Sequence, residues 1–395
     1  MGSAAFPDRG TGGGRHRPVT VLDLRDSPWL DGPGRTILQC AAMVERHRCS
    51  ISVGAFCPAS PADHDYLQSA RSLGLPVIPI TENRSLDIGV LKQILRVIRT
   101  ETIDIVHAHD FRSNVFALLA AKRSGIPAVT TCHGWIANSV KGKLRCRLDQ
   151  GLLRWFDRVI AVSGHMAQTL PRFGVPQKRT TVIVNALVVE NYQPGRDGTL
   201  RQEWEVPTDA FLVGNIGRLS PEKGQDLLLR AVQQLVVRKP RIHLVFIGIG
   251  PQESLLRSMS RELGIEDRVC FAGFQKDMAR VYRNLDLVVQ SSHTEGMPNV
   301  VLEAMLMEVP VVATNVGGTA EIVQPVCEDF LIEPGTVEAL VGGIERVMAD
   351  RGRYEEKARR GRRYVAEHFN QQRRVELLMQ VYEEVLAQRS GTSGR

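Results

Sequence analysis

Short apolar runs rich in β-branched residues, ending in Gly, Asp or His, alternate along the chain with longer segments whose apolar positions recur at helical spacing. VTVLDL (19–24), ISVGAF (51–56), PVIPI (76–80), DIVHAH (104–109), AVTTCH (128–133) and RVIAVS (158–163) read as strands, with helices such as GVLKQILRVIRTE (89–101) between them. A second series repeats the pattern: FLVGNIG (211–217), IHLVFIG (242–248), VCFAG (269–273), LDLVVQ (285–290) and VPVVAT (309–314). Strand–helix alternation predicts parallel βαβ units, and hence two α/β halves meeting near the polar stretch ENYQPGRDGT (190–199). The expected division is a loose tail over 1–17, α/β domains over 18–190 and 191–370, and a last segment over 371–395 that ends in a second loose tail, AQRSGTSGR. Open α/β sheets gather ligands at the carboxyl ends of their strands, so two facing sheets enclose a cleft lined by strand-end loops. His109, His133, Arg218 and Glu295 all fall at or just past such ends.

A length of 395 residues allows two or three domains, and 43% hydrophobic with 24% charged residues is an ordinary globular composition. The first residues lack the apolar region of a signal peptide and no apolar stretch is long enough to span a bilayer, so a cytoplasmic protein is expected. Seven scattered cysteines without a Cys-x-x-Cys pair predict neither a disulfide framework nor a zinc site.

The segment SSHTEGMPNVVLEAMLMEVPVVATNVGG (291–318) carries the most chemistry. Glu295-Gly296-Met297-Pro298 reads as a turn, Asn299 as a helix N-cap and VVLEAMLME as the helix, whose free N–H groups and partial positive charge suit a phosphate. Glu303 then lies about one turn into the helix, within reach of sugar hydroxyls. GRLSPEKG (217–224) places Arg218 and Lys223 in a turn after a strand. A planar fork of donors and a compact point charge together can neutralise a departing diphosphate without a metal. Taken singly, the two cations read as a solvated turn and the two glutamates as a charged helix face. Taken together, the four point to a nucleotide diphosphate.

GRLSPEKG, followed downstream by EGMPNVVLEAM and PVVATNVGG, resembles the retaining, nucleotide-sugar-dependent glycosyltransferases of family 4. Their GT-B architecture sets two Rossmann-like, doubly wound domains across a cleft. The similarity of pattern runs from DLRDSPWLDGPGRTILQCA to ARRGRRYVAEHFNQQRRVELLMQVYEEVL. The resemblance implies that Arg218 and Lys223 bind the donor diphosphate and stabilise its departing charge. It implies that Glu303 binds ribose hydroxyls, that Glu295 touches the transferred sugar, and that the backbone of Gly296, Met297, Pro298, Asn299 and Val300 lies beside sugar and phosphate. GPGRT (32–36) resembles the family's glycine-rich loop, with Gly34 near the diphosphate and Arg35 on the acceptor side. His133 in TTCHGW matches the histidine beside the reacting sugar, and the final helix is expected to cross back to the N-terminal domain. The sequence departs from the pattern at Asp31-Gly32-Pro33-Gly34, where Gly-Gly is usual, at Asn185-Ala186, where Asn-Gly is usual, and at Glu308, where glycine is common.

The activity implied is transfer of a sugar from a nucleotide diphosphate to a hydroxyl acceptor with retention, in polysaccharide or glycolipid synthesis. The donor lies in the C-terminal domain and the acceptor in the N-terminal one. No Asp-x-Asp motif is placed to hold a metal, so no cofactor or metal is expected. A non-catalytic sugar-nucleotide-binding protein and a related GT-B epimerase or phosphorylase are the alternatives.

Apart from the resemblance, His133 reads as a hydrogen-bonded structural histidine. His107 and His109 share a strand face and suggest a metal pair, but no third ligand stands at a supporting spacing; His107 reads as structural and His109 as an acceptor-side cleft residue. KGKLRCRLDQGLLRWFDRV (141–159) reads as a basic amphipathic helix, either docked on anionic lipid at the inner face of a membrane or simply interdomain or solvated. A net charge of +7 leaves a membrane surface or nucleic acid as general partners; the lack of a recognition motif and 6% aromatic content argue against nucleic acid. EEKARRGRRYVAEHF (355–369) reads as a solvated helix face.

Overall fold

The structure, a computed structural model, describes residues 17–58, 64–83 and 87–392. The expected loose ends over 1–16 and 393–395 lie outside these residues. Arg17, assigned to the tail, is instead tied to the domain by Asp104, with Nη2 2.6 Å from Oδ1. The last helix continues to Thr392, well into the expected C-terminal tail.

Seven strands form the first sheet: β1 (Val19–Arg25), β2 (Cys49–Cys57), β3 (Val77–Thr81), β4 (Ile105–Ala108), β5 (Ala128–Cys132), β6 (Arg158–Ala161) and β7 (Thr180–Val182). Six form the second: β8 (Phe211–Ile216), β9 (Ile242–Ile247), β10 (Val269–Gly273), β11 (Leu287–Gln290), β12 (Val311–Thr314) and β13 (Leu331–Ile332). The spatial orders are 3-2-1-4-5-6-7 and 10-9-8-11-12-13, with parallel pairing throughout. Chain order reverses between β1 and β4 in one sheet and between β8 and β11 in the other, and these are the two points where crevices open beyond the strand ends. The edge strands β7 and β13 escape the sequence pattern because runs of three and two residues are too short to show one.

Strand side chains alternate between two apolar layers. Leu22 and Leu24 face a core shared with Val90, Ile94 and Phe116, whereas Val21 faces one shared with Ile51, Ile105 and Val129. The second layer is completed from the far end of the chain. The helix Gln371–Thr392 lays Leu378, Met379, Tyr382 and Val385 against it, so the final helix crosses back onto the first sheet. Just before the crossing, Leu187 N donates to Phe369 O (2.9 Å) and Gln371 N to Leu187 O (3.1 Å), which zips the outgoing and returning segments together.

The helix Arg351–His368 is not solvated all round: Tyr354, Ala358, Gly361 and Val365 are buried, Gly361 against Met305, while most of its basic residues face outward. The basic amphipathic helix spans only Val140–Leu152, because Leu153 and Phe156 drop into the core and β6 begins at Arg158. None of that helix's own residues is buried. All seven cysteines are free, and no helix of the described residues is long and apolar enough to cross a membrane.

Candidate active site in the interdomain cleft

The C-terminal half of the site is built where β8 and β11 end. Gly217 (φ +150°) turns the chain out of β8 and leaves Arg218 exposed, with no ion pair among the described residues. Gly224 follows in the left-handed region (φ +61°), and a Cβ there would lie 2.3 Å from Ser291 O, so only glycine lets this turn rest on the end of β11. That approach joins Lys223 to Glu295, Nζ to Oε1 2.7 Å, across 72 residues of sequence. The same oxygen accepts from Ser292 Oγ (2.6 Å).

The turn bearing Glu295 is clamped by the later glycine pair. Gly318 N donates to Gly296 O (2.9 Å), and a Cβ on Gly317 would lie 1.9 Å from Glu295 O. Met297 and Pro298 are buried, and Val300 is half-buried with its carbonyl accepting from Tyr282 OH at 3.3 Å. Asn299 is not the helix cap. Pro298 occupies that position without a side-chain hydrogen bond, and Asn299 opens the helix Asn299–Leu306 with its amide turned to the other domain. Its Nδ2 donates to Gly32 O and Thr36 Oγ1, both at 3.1 Å, and its Oδ1 accepts from Asn185 Nδ2 at 2.9 Å.

Glu303 lies deeper than a cleft-floor residue. Oε1 accepts from Tyr192 OH (3.0 Å) and Oε2 from Tyr282 OH (2.8 Å), and Arg35 of the opposite domain stands 3.8 Å away. Burial pushes the Glu303 carboxyl upward, against the pull of Arg35 and the two phenols.

In the N-terminal half, GPGRT is not a loop but the first turn of the helix Gly32–Met43. Asp31 caps it, its Oδ1 accepting from Gly34 N (2.8 Å), and Pro33 sits where a missing N–H costs nothing. Gly34 faces protein: a Cβ would lie 2.1 Å from Arg25 Nη1, whose guanidinium is buried against Asp31 at 2.7 Å.

Behind this turn lies a polar line that the sequence pattern does not expose. Asp23 Oδ2 is 3.0 Å from His109 Nε2, and His109 Nδ1 is 3.1 Å from His133 Nε2. His107 stands beside it, its Nδ1 on Tyr382 OH and its Nε2 on Thr131 Oγ1, both 2.8 Å. Asp23 is thus the third group near the His107–His109 pair that spacing alone did not supply, their ligand atoms lying within 4.8 Å of one another. Each ring nitrogen of both histidines already has a protein partner, so the cluster reads as a hydrogen-bond network rather than an open coordination site. Burial would raise the Asp23 carboxyl, but His109, His107 and Arg25 outweigh it and hold it below the usual range. Burial and then His109 drive His107 down to about 3 and His133 well below the ordinary imidazole value.

The two halves touch. A Cβ on Gly296 would fall 2.1 Å from His133 O, Asn185 Nδ2 donates to Met297 O (2.9 Å), and Asn138 Nδ2 donates to Glu222 Oε2 (2.6 Å). Glu321 accepts from Gly164 N (3.0 Å) and His165 N (2.8 Å) across the interface. The cleft therefore brings together Lys223 with Glu295, Arg35 with Glu303, His109 with His133, and His133 with Gly296. Arg218 stands apart, and Gly34 is taken up by Arg25. Sequence reasoning missed Asp23, Tyr192, Tyr282 and Glu321; of these only Asp23, a charge inside an apolar strand, carried a local signal.

Residues 30–191 match Glycosyltransferase Family 4, and residues 197–366 match Glycosyl transferases group 1. The D-inositol 3-phosphate glycosyltransferase of Saccharomonospora viridis is 28% identical over 415 residues, covering 95% of this chain and 96% of its own. EpsD of Bacillus subtilis, named as a glycosyltransferase, is 30% identical over 309 residues, covering 75% of this chain and 80% of its own. The crystal structure of Anabaena Alr3699/HepE in complex with UDP and glucose is similar with a TM-score of 0.82 at 25% identity, covering 93% of this chain and 100% of that one. Two parallel-sheet domains closed over a cleft, each matched by its own part of the family, make this chain a member of the family 4 glycosyltransferases of GT-B fold.

Proposed function

We propose that the chain transfers a sugar from a nucleotide diphosphate sugar to a hydroxyl acceptor with retention of configuration and without a divalent metal. The observation that carries this reading is the Lys223–Glu295 pair at 2.7 Å, set at the switch point of the second sheet and facing His133 of the first. A bound diphosphate would draw Lys223 away and leave Glu295 free to accept from a sugar hydroxyl. The bond from the anomeric carbon to the diphosphate breaks with its electron pair passing to the diphosphate, whose charge Arg218 and Lys223 take up. The acceptor oxygen forms the new bond and its proton is released. Retention is supported by the family resemblance, and the structures of HepE with UDP and with UDP-glucose support a nucleotide-sugar donor.

A thermal-shift panel of UDP, GDP and ADP with and without EDTA tests the reading. Stabilisation by one diphosphate, insensitive to EDTA and lost in Lys223→Met, is expected; no stabilisation by any of them defeats the proposal.

A lipid-linked or envelope-glycan acceptor is favoured by the helix Val140–Leu152. Val140, Leu144 and Leu148 recur every fourth residue of the helix and are 85%, 59% and 53% exposed, with Ile136, 53% exposed, in the loop before it. Lys141, Lys143 and Arg147 flank them, while Asp149 turns inward to Asn114 and Trp135. An apolar stripe edged by cations suits an anionic bilayer surface. Wild-type flotation with phosphatidylglycerol vesicles, lost in Leu144→Glu/Leu148→Glu, is the expected result; absence of wild-type binding rejects it.

A further inference from the structure

The line Asp23–His109–His133 has a direction. A carboxylate only accepts, so His109 must present Nε2–H to Asp23 Oδ2, 3.0 Å away. A second proton on His109 would reverse its bond to His133 and put the proton of His133 on Nδ1, whereas with a single proton, held on Nε2 by Asp23, Nδ1 of His109 is a lone pair and takes the Nε2–H of His133 at 3.1 Å. His133 is left with an unprotonated Nδ1, a hydrogen-bond acceptor. That atom is buried and has no partner in the protein, although the residue itself is partly exposed and its carbonyl abuts Gly296 beside Glu295. An orphaned acceptor at this place calls for a donor from outside the protein.

We propose that Asp23 and His109 are positioning residues that lock His133 in its Nε2–H tautomer and so keep Nδ1 an acceptor toward a hydroxyl of the transferred sugar, beside which the family resemblance sets this histidine. The sugar half of this proposal rests on the transferase reading; the tautomer half does not. The relay makes the site select for a group that can donate. A sugar with fluorine or hydrogen in place of that hydroxyl leaves Nδ1 unpaired, which lowers affinity about 5- to 100-fold. The relay also explains a carboxylate inside a buried strand: without Asp23 nothing at the inner end distinguishes the two tautomers.

NMR of the full chain carrying 15N-labelled histidine reads the tautomer directly, His133 being assigned from the signal lost in His133→Gln. The expected wild-type spectrum has the proton on Nε2 and none on Nδ1. In Asp23→Leu both nitrogens shift toward intermediate positions as the tautomers mix. A wild-type proton on Nδ1 overturns the proposal, as does an Asp23→Leu spectrum identical to wild type. If that variant does not fold, the wild-type spectrum alone still decides. In the second arm UDP-glucose, UDP-galactose and UDP-N-acetylglucosamine are added, with UDP as control. At least one sugar nucleotide is expected to move Nδ1 while UDP does not. If UDP binds and no sugar nucleotide moves Nδ1, the hydroxyl contact is refuted. If no nucleotide binds, the transferase reading falls and the hydroxyl contact with it, while the apo spectrum still judges the relay.

Discussion

Truncating Glu303 to alanine strips the acceptor from two buried phenols at once, and the two should not respond alike. Tyr282 OH has a fallback in Val300 O at 3.3 Å, whereas Tyr192 OH donates only to Glu303 among the described residues. Each hydrogen bond to the carboxylate is worth about 1.5–3 kcal/mol, while removing a buried charge returns part of that sum. Arg35, a quarter exposed and 3.8 Å away, adds no more than about 1 kcal/mol. The net expectation is a loss of about 2–4 kcal/mol for Glu303→Ala. Adding Tyr192→Phe to that variant should recover about 1 kcal/mol by removing a hydroxyl proton left without an acceptor, a gain offset in part by the loss of its hydrogen bond with Arg35, and adding Tyr282→Phe should recover less than half as much. Urea unfolding of the wild type, the three single variants and the two doubles supplies the cycles. Glu303→Ala within about 0.5 kcal/mol of wild type, or a larger rescue by Tyr282→Phe, refutes the reasoning. The result also bears on function: a loss of nucleotide binding in Glu303→Ala counts against the ribose only where the variant remains folded.

Three further outcomes follow from the same geometry. Burial, helped by Asp110 and opposed by Arg112, pushes Asp26 up from 3.8 to about 6; the folded state therefore holds the proton more tightly, and this stabilising contribution, complete below 3.8, is lost as pH rises through 6. Relative to Asp26→Asn, the wild type should thus gain up to about 3 kcal/mol in urea unfolding between pH 7.5 and pH 4, and a pH-independent difference would contradict this. Gly296→Ala should hold the domains apart, because its Cβ meets His133 O at 2.1 Å; turnover is expected to drop about 100-fold with unfolding nearly unchanged, and a fully active variant would show that closure does not use this contact. Lys223→Met should weaken UDP binding about 10- to 100-fold by calorimetry, with unaltered affinity ruling Lys223 out as a phosphate ligand.

The strands and their alternation with helices were legible in the sequence because both sheets are parallel and covered on both faces, which makes their strands near-continuous apolar runs. The Glu295–Glu303 segment and the Arg218–Lys223 turn were legible because tight turns need glycine and proline at fixed offsets. What stayed hidden lies in contacts between distant segments. Nothing near Tyr192 or Tyr282 announces a shared carboxylate, and Tyr382 reaches His107 over 275 residues of chain. The role of Asn299 was misread for a related reason: an asparagine before an apolar helix reads locally as a cap, whereas here its amide is spent on Gly32 and Thr36 in the other domain.

The chain passes between its domains twice, and Leu187 is hydrogen-bonded to Phe369 and Gln371 where the passages meet. A single tether would let the domains twist, slide and tumble about one point. Two segments pinned side by side at one bridge resist twist and sideways slip as a single tether cannot. Any separation of the domains about this pin has to break the contacts of Glu321 with Gly164, Asn138 with Glu222 and Gly296 with His133. The pin at residues 187 and 370 stands two residues from Asn185, which holds Met297 and Asn299, so the crossing of the two passages is tied directly to the turn that carries Glu295.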